Sequence, residues 1–440
     1  MAKPLVVIVG RPNVGKSTLF NRMVGSERAI VESFPGVTRD RNYMEVIWRE
    51  RSFIVVDTGG FYPEPAEDIF HQAKEQAIFA IEEADIIIHL MDGKEGLNPN
   101  DIELARLLRA SGKKVLWAVN KIDAPTREDR LYDFYRLGAD TLSPVSAATG
   151  YEFEEFMDRL ISLLPPSSVE GSQIDYPSVA VVGRPNVGKS TLVNTLLGKK
   201  RMIVSPVPGT TRDSIDSPCA YHGKKYLLID TAGIRKKGKL GYSIERYAMV
   251  RAVRSVERCD VAMIVLDSPE GIVEQDLRVA GTVGHYGKGA VFLLNKWDLV
   301  KEPEVAYKRY LEEFRNKFWF FNHAPLLTVS GRDRKRVTKV FPLIDGVISE
   351  RRKRISTAEL NMVLRGALSR VPPPVHKGKA VKVFYITQVG IEPPEFVIFV
   401  NYPEGLKEAH VRFIERSLRE QFSFSGTPIR LFVKGRSQMP

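Results

Sequence analysis

"GRPNVGKSTL", Gly10 to Leu19, recurs letter for letter at Gly183 to Leu192, and the reading of the whole chain follows from that duplication. The likeness extends beyond ten residues. "PGVTRD" (Pro35 to Asp40) returns as "PGTTRD" (Pro208 to Asp213), and "DTGG" (Asp57 to Gly60) returns as "DTAG" (Asp230 to Gly233), each pair 173 residues apart. "NKID" from Asn120 and "NKWD" from Asn295 lie 175 apart, so loop length has drifted by two residues. Self-similarity on this scale marks two homologous domains in tandem.

Each copy alternates strand and helix. "PLVVIVG" leads through a glycine-rich turn into the helix "KSTLFNRMVG", then the hairpin "RNYMEVIWRERSFIVVD". The apolar runs "ADIIIHLMD" and "KKVLWAVNK" follow at helix-length intervals, as "CDVAMIVLD" and "GAVFLLNK" do in the second copy. Continuous apolar strands spaced by helices predict a mostly parallel α/β sheet with helices on both faces. The polar, Pro/Gly-containing stretch "PPSSVEGSQIDYP" reads as a linker. The expected division is 1–164 and 178–352 for the two copies, 165–177 for the linker, and 353–440 for a third domain. There the order changes to helix, two strands, helix, strand, a small α+β unit.

At 440 residues the chain is long enough for about three domains. Its 65 Lys and Arg against 53 Asp and Glu give +12, and residues 350–440 alone hold 16 against 8. An excess of positive charge concentrated where the repeat is absent points to an anionic partner such as nucleic acid. Cys219 and Cys259 are too few for a disulfide framework and fit a reducing cytoplasm. The first apolar run enters the first motif directly and no run reaches the ~18 residues of a membrane span, so a cytoplasmic protein without a membrane partner is expected.

The pattern G-x-x-x-x-G-K-S after a buried strand and opening a helix is a phosphate-binding loop. Gly10, Gly15, Gly183 and Gly188 let backbone N–H groups converge on phosphate oxygens, and the helix N-terminus adds a favourable field. Lys16 and Lys189 are placed to reach the β- and γ-phosphates. Ser17 and Ser190 can ligate Mg²⁺, and Thr18 and Thr191 follow them in the nucleotide cradle. Asp57 and Asp230 end predicted strands and can hold a water bound to Mg²⁺; Gly60 and Gly233 can offer an N–H to the γ-phosphate. Thr38 and Thr211 sit at a fixed offset from the loop in both copies, where a threonine can close over Mg²⁺ and let go after hydrolysis.

The N-K-x-D pair selects the base. A carboxylate at Asp123 or Asp298 accepts from the ring N–H and the exocyclic amine of guanine, whereas adenine presents an acceptor at the first position and lacks that amine. Asn120 and Asn295 would brace the phosphate loop, and Lys121 and Lys296 would lie along the purine. "SAATG" at Ser146, with Ala147, and "SGRDR" at Ser330 are candidates to complete the base site. The position after Asp-x-x-Gly holds Phe61 in one copy and Ile234 in the other, and neither side chain can orient a water. Slow intrinsic hydrolysis of GTP is therefore expected.

Two full motif sets, each opening "GRPNVGKST", followed by a small basic α+β domain, resemble the bacterial Der (EngA) GTPases over essentially the whole chain. The resemblance implies a GTPase acting in assembly of the large ribosomal subunit, with a KH-like C-terminal domain contacting ribosomal RNA; a monomer is expected. It also implies that Phe61 and Ile234 stand where the family replaces the usual glutamine. Related GTPases bind K⁺ through an asparagine inside the phosphate loop, the position of Asn13 and Asn186; tolerance of left-handed backbone is the other reason for an asparagine there. No G-x-x-G clamp of a standard KH domain occurs between Ser356 and Pro440. That domain either binds RNA through basic residues or docks on the second GTPase copy and senses its nucleotide. "RRKR", Arg351 to Arg354, is either a phosphate contact or a solvated linker, and the strand aromatics Phe384, Phe396, Phe399 and Phe432 are expected in the core. A signalling or trafficking switch without an RNA partner is the competing reading; the basic terminal domain and the absence of a lipidation signal in "GRSQMP" weigh against it.

Overall fold

The computed structural model describes residues 3–25, 43–58, 74, 77–78, 80–165, 176–198, 216–229 and 244–435. The chain divides into two compact units, one built on the first motif set and one carrying the second set together with the C-terminal region.

In the first copy β1 (Leu5–Val9) runs into α1 (Lys16–Gly25), followed by β2 (Tyr43–Trp48), β3 (Arg51–Asp57), β4 (Ile86–Asp92), α2 (Pro99–Ala110), β5 (Lys114–Asn120), β6 (Leu142–Pro144) and α3 (Phe153–Leu163). The sheet order is β2-β3-β1-β4-β5-β6, parallel except for the β2–β3 hairpin. All five β1 residues and all seven of β4 are buried. These central strands therefore read as unbroken apolar runs, whereas β2 carries Glu45 at the sheet edge. The helix α2 opens with a reciprocal cap, Asn98 accepting from Asn100 N–H and the Asp101 carboxylate accepting from Asn98 N–H.

The second copy repeats this strand order, with β7 (Ser178–Val182), α4 (Lys189–Leu197), β8 (Ser217–Tyr221), β9 (Lys224–Ile229), α5 (Ile244–Arg258), β10 (Val261–Asp267), α6 (Glu274–His285), β11 (Gly289–Asn295), α7 (Pro303–Lys317), β12 (Leu326–Thr328) and α8 (Val340–Arg352). Its sheet, β12-β11-β10-β7-β9-β8, has the same connectivity. Cys219 and Cys259 are both buried here, and burial pushes their thiols up to about 12 and about 11.

The C-terminal region forms α9 (Thr357–Arg370), a short hairpin of β13 (Val375–His376) and β14 (Lys379–Ala380), β15 (Val383–Gly390), β16 (Glu395–Val400), α10 (Glu408–Phe422) and β17 (Arg430–Gly435). β15 pairs antiparallel and β17 parallel with the central β16. Leu360, Leu364, Ile386, Phe396, Ile398, Ile414 and Leu418 form the core between the helices and this sheet. The helix, two strands, helix, strand order is as the sequence predicts. The run "KAVKVFYITQV" is not one strand, however, because Val381 is buried and Lys382 N–H is held by Asn401, which separates β14 from β15. Of the four strand aromatics, Phe396 and Phe399 are buried while Phe384 and Phe432 are more than a third exposed.

"RRKR" is not a solvated linker at its first residue, which is buried, and its third residue is held by the C-terminal region. Arg351 is 2% exposed and donates to the Gly287 carbonyl at 2.7 Å, and Lys353 donates to the Phe422 carbonyl at 2.7 Å. Three other bonds run between the C-terminal region and the second GTPase copy. Ala290 N–H donates to Gly426 O (2.7 Å) at the start of β11, Gly426 N–H to His323 O (3.1 Å), and Phe424 N–H to Glu350 Oε2 (2.8 Å).

Candidate nucleotide sites

Both phosphate loops leave the end of a central strand, β1 or β7, and enter a helix, α1 or α4, so the loop's N–H groups and the helix N-terminus converge on one point. Gly15 and Gly188 have φ of +97° and +94°, and a Cβ on either would collide with the side-chain amide of Asn120 or Asn295. Asn120 uses that amide to donate to Val14 O at 2.7 Å, and Asn295 donates to Val187 O at 2.8 Å. The asparagines of N-K-x-D thus brace the phosphate loops. Asn13 and Asn186 are left-handed, with φ of 66° and 64°.

Lys16 Nζ donates to Gly10 O and Arg11 O, each at 2.7 Å; Lys189 Nζ donates to Gly183 O (2.7 Å) and Arg184 O (2.6 Å). Burial lowers both ammonium groups to about 8. Each is a cation held in a loop of carbonyls and desolvated, so an arriving phosphate gains a strong partner there. Ser17 Oγ donates to Asp57 Oδ2 at 2.6 Å, which brings the two predicted Mg²⁺-site side chains together. Thr18 and Thr191 are exposed on the first turns of α1 and α4. Thr38, Gly60, Thr211, Asp230 and Gly233, with Phe61 and Ile234, lie outside the described residues.

At the base end, Ser146 Oγ donates to Asp123 Oδ1 (2.8 Å) and Ala147 N–H donates to Asn120 Oδ1 (2.9 Å). The second copy reproduces the backbone half of this, Gly331 N–H donating to Asn295 Oδ1 at 3.0 Å. Ser146 accepts from Thr149 N–H, and Ser330 from Asp333 N–H. Ser330–Gly331 is therefore the counterpart of Ser146–Ala147, although Ala has become Gly. Around Asp123 the copies differ. Arg127 (2.7 Å) and Lys94 (3.5 Å) flank that carboxylate, and the Ser146 hydrogen bond, followed by these cations, holds it below the usual range. The residues at the matching positions near Asp298 are Glu302 and Pro269.

Two supports in each copy escape a motif reading. Lys121 donates to Asn13 O at 3.0 Å and pairs with Asp92, and Lys296 pairs with Asp267 at 2.6 Å. Arg11 Nε binds Asp101 at 2.9 Å and its other arm binds Glu95 at 2.8 Å; Arg184 binds Glu270 at 2.7 Å, with Asp276 3.5 Å away. The second residue of each phosphate loop is thereby tied to the start of the helix that follows the neighbouring strand. The sequence holds the signal, because Asp92 and Asp267, like Asp101 and Asp276, are 175 residues apart, the N-K-x-D offset.

This arrangement can bind a nucleoside triphosphate by its phosphates and select guanine by a carboxylate, twice over. The model of a family described as a 50S ribosome-binding GTPase matches residues 5–121 and 178–296. One described as the KH-domain-like C-terminal region of EngA bacterial GTPase enzymes matches 354–434. Among the most similar relatives, the GTPase Der of Thermodesulfovibrio yellowstonii is 54% identical, with 98% of this chain and 99% of that protein covered. That of Caldanaerobacter subterraneus subsp. tengcongensis is 47% identical with both chains covered in full. With both phosphate loops, both guanine-selecting motifs and the C-terminal region matched along its length, the chain belongs to the Der family of GTPases.

Proposed function

We propose that this GTPase is a cytoplasmic monomer that acts in assembly of the large ribosomal subunit, binding ribosomal RNA of the precursor when its nucleotide sites are suitably loaded. The observation that carries the reading is the pairing of two guanine-nucleotide sites with a basic terminal domain, in which residues 353–440 hold 14 Lys and Arg against 7 Asp and Glu. The family description as ribosome-binding supports it. The expected boundaries, 1–164, 165–177, 178–352 and 353–440, give each function its own domain.

In each site the phosphate loop and Lys16 or Lys189 bind the β- and γ-phosphates, while Asp123 or Asp298 holds guanine. Ser17 with Asp57, and Ser190 with Asp230, are the proposed Mg²⁺ supports, joined by Thr38 and Thr211. The hydroxyl–carboxylate contact of Ser17 and Asp57 is a hard-oxygen donor set that fits this ion. Mg²⁺ there would neutralise charge developing on the transferred phosphoryl group. Gly60 and Gly233 offer N–H groups to the γ-phosphate, and Asn13 and Asn186 are the proposed K⁺ contacts. With Phe61 and Ile234 unable to orient water, turnover is slow until a cation or partner supplies that role.

The test is co-sedimentation with large ribosomal subunits, in GDP and in a non-hydrolysable GTP analogue, of wild type, Lys16→Ala and Lys189→Ala. Binding that requires the analogue and is lost in one or both variants is expected. Failure to bind in any nucleotide at moderate salt removes the ribosomal assignment and leaves a switch of another kind.

A further inference from the structure

The β13–β14 hairpin and the 3₁₀ turn Pro403–Gly405 flank an open cavity of about 490 Å³, lined by His376, Lys377, Lys379, Tyr402, Pro403 and Glu404. It lies in the C-terminal domain and shares no lining residue with either nucleotide site, and its size suits a small ligand or a single nucleotide. Its walls are fixed by the chain. Gly405 approaches so closely that a Cβ would lie 2.6 Å from Val381 Cγ2 and 2.8 Å from His376 Cβ. Asn401 then ties the end of the hairpin on both sides, donating from Nδ2 to Ala380 O (3.0 Å) and accepting from Lys382 N–H (2.8 Å). Val381 and Leu406, 4% and 6% exposed, anchor the two walls in the core.

The lining is cationic and aromatic. The two-residue turn Lys377-Gly378, with φ of 48° and 75°, leaves Lys377 and Lys379 exposed on either side of its glycine. Neither lysine has an ion-pair partner among the described residues. The arginines of α10 are committed locally by contrast: Arg412 to Glu408, Arg416 to Glu420 and Arg419 to Glu415. The rings of His376 and Tyr402, half-buried, have centroids 6.5 Å apart. Glu404 supplies one acceptor at the rim.

We propose that this cavity takes one nucleotide of single-stranded RNA, its base against Tyr402 and His376 and its flanking phosphates on Lys377 and Lys379, with Glu404 accepting from an exocyclic amine. The inference rests on the RNA-binding reading above and gives it an address in a domain that lacks the G-x-x-G clamp. Positive charge that is not neutralised in place, beside a ring on which a base can stack, is the combination that single-stranded nucleic acid requires.

The experiment uses the full-length chain and a fluorescein-labelled 12-nucleotide oligoadenylate, followed by anisotropy between 50 and 200 mM salt. Lys377→Ala/Lys379→Ala is expected to weaken binding about tenfold and to flatten the log–log salt slope by about 1.4, two phosphates at ~0.7 each. Tyr402→Leu weakens binding by about tenfold with the slope unchanged, since stacking and not charge is removed. Lys301→Ala/Lys308→Ala, the same loss of charge on exposed residues of the second GTPase domain, stays within about twofold of wild type. Wild-type affinity in both cavity variants, or an equal loss in the control, overturns the proposal. If Tyr402→Leu does not fold, the exposed lysine pair carries the test alone. Co-sedimentation separates the two readings: wild type that pellets with ribosomal subunits while the cavity variants bind the oligonucleotide normally removes the cavity only. Wild type that binds neither oligonucleotide nor subunits removes both.

Discussion

Lys16, buried, and Lys189, half-buried, each serve as a desolvated cation that must wait for its anion. Burial lowers their free-state values to about 8, and a phosphate in the loop restores the charged form. Nucleotide binding therefore takes up protons above pH 8, and affinity falls as pH rises through the free-state value. Between pH 7 and 8.5 the dissociation constant for GDP is expected to rise about fourfold at either site. Titration calorimetry in two buffers of different ionisation enthalpy checks this directly, and an enthalpy independent of the buffer at pH 8.5 would remove the explanation. The residues that contact nucleotide were legible in the sequence because phosphate and guanine chemistry fixes both their type and their spacing. The supporting roles of Arg11, Asp92 and Asp101 were not, because Arg11 stands at an unspecified position of the phosphate-loop pattern and the two carboxylates belong to no motif. Only the shared offset of 175 residues marks the two carboxylates.

At the scale of an element, β4 and β10 are equivalent strands with one telling difference. His89 lies in the middle of β4, wholly buried against Trp117, with neither ring nitrogen hydrogen-bonded. The matching residue of β10 is Ile264. Burial, followed by the Arg11 charge, lowers His89 to about 3. The imidazole stays neutral in the folded protein but protonates below about pH 6.5 when the chain unfolds, so stability contributed by its neutral form is lost as pH falls below that value. The loss reaches about 2 kcal/mol by pH 5. His89→Ile is expected to stabilise the first unit by about 1 kcal/mol at neutral pH and to remove that part of its acid sensitivity. Urea unfolding at pH 7 and pH 5 measures both effects; an unchanged pH dependence would show that the imidazole finds a partner. Most strands were readable because apolar runs are local. The break between β14 and β15 was not, since it depends on Asn401, which lies about twenty residues further along the chain.

In the molecule as a whole, the second GTPase copy and the C-terminal region share one compact unit. The first residues of β11 receive the C-terminal region through Ala290 and Gly426, and its last residue is Asn295, which braces the second phosphate loop. Gly426 has φ of +69°, and a Cβ there would lie 2.9 Å from Ala290 O and inside the Val347 side chain. Gly426→Ala is expected to cost about 2 to 4 kcal/mol and to loosen the junction without touching a nucleotide contact. Hydrogen exchange at the Ala290 and Gly426 amides reports it, and rates equal to wild type would show that these bonds do not hold the junction. Sequence showed that a third, basic domain exists. It could not show that "RRKR" lies partly inside the protein, because a run of charges reads the same whether its arginine faces solvent or a carbonyl.

The two native thiols, Cys219 and Cys259, are buried, and their thiolates are suppressed. Alkylating dyes will therefore pass over them in the native protein. A pair of cysteines substituted on the surface can carry donor and acceptor fluorophores in an otherwise natural chain, so movements between domains can be watched one molecule at a time with both native cysteines kept.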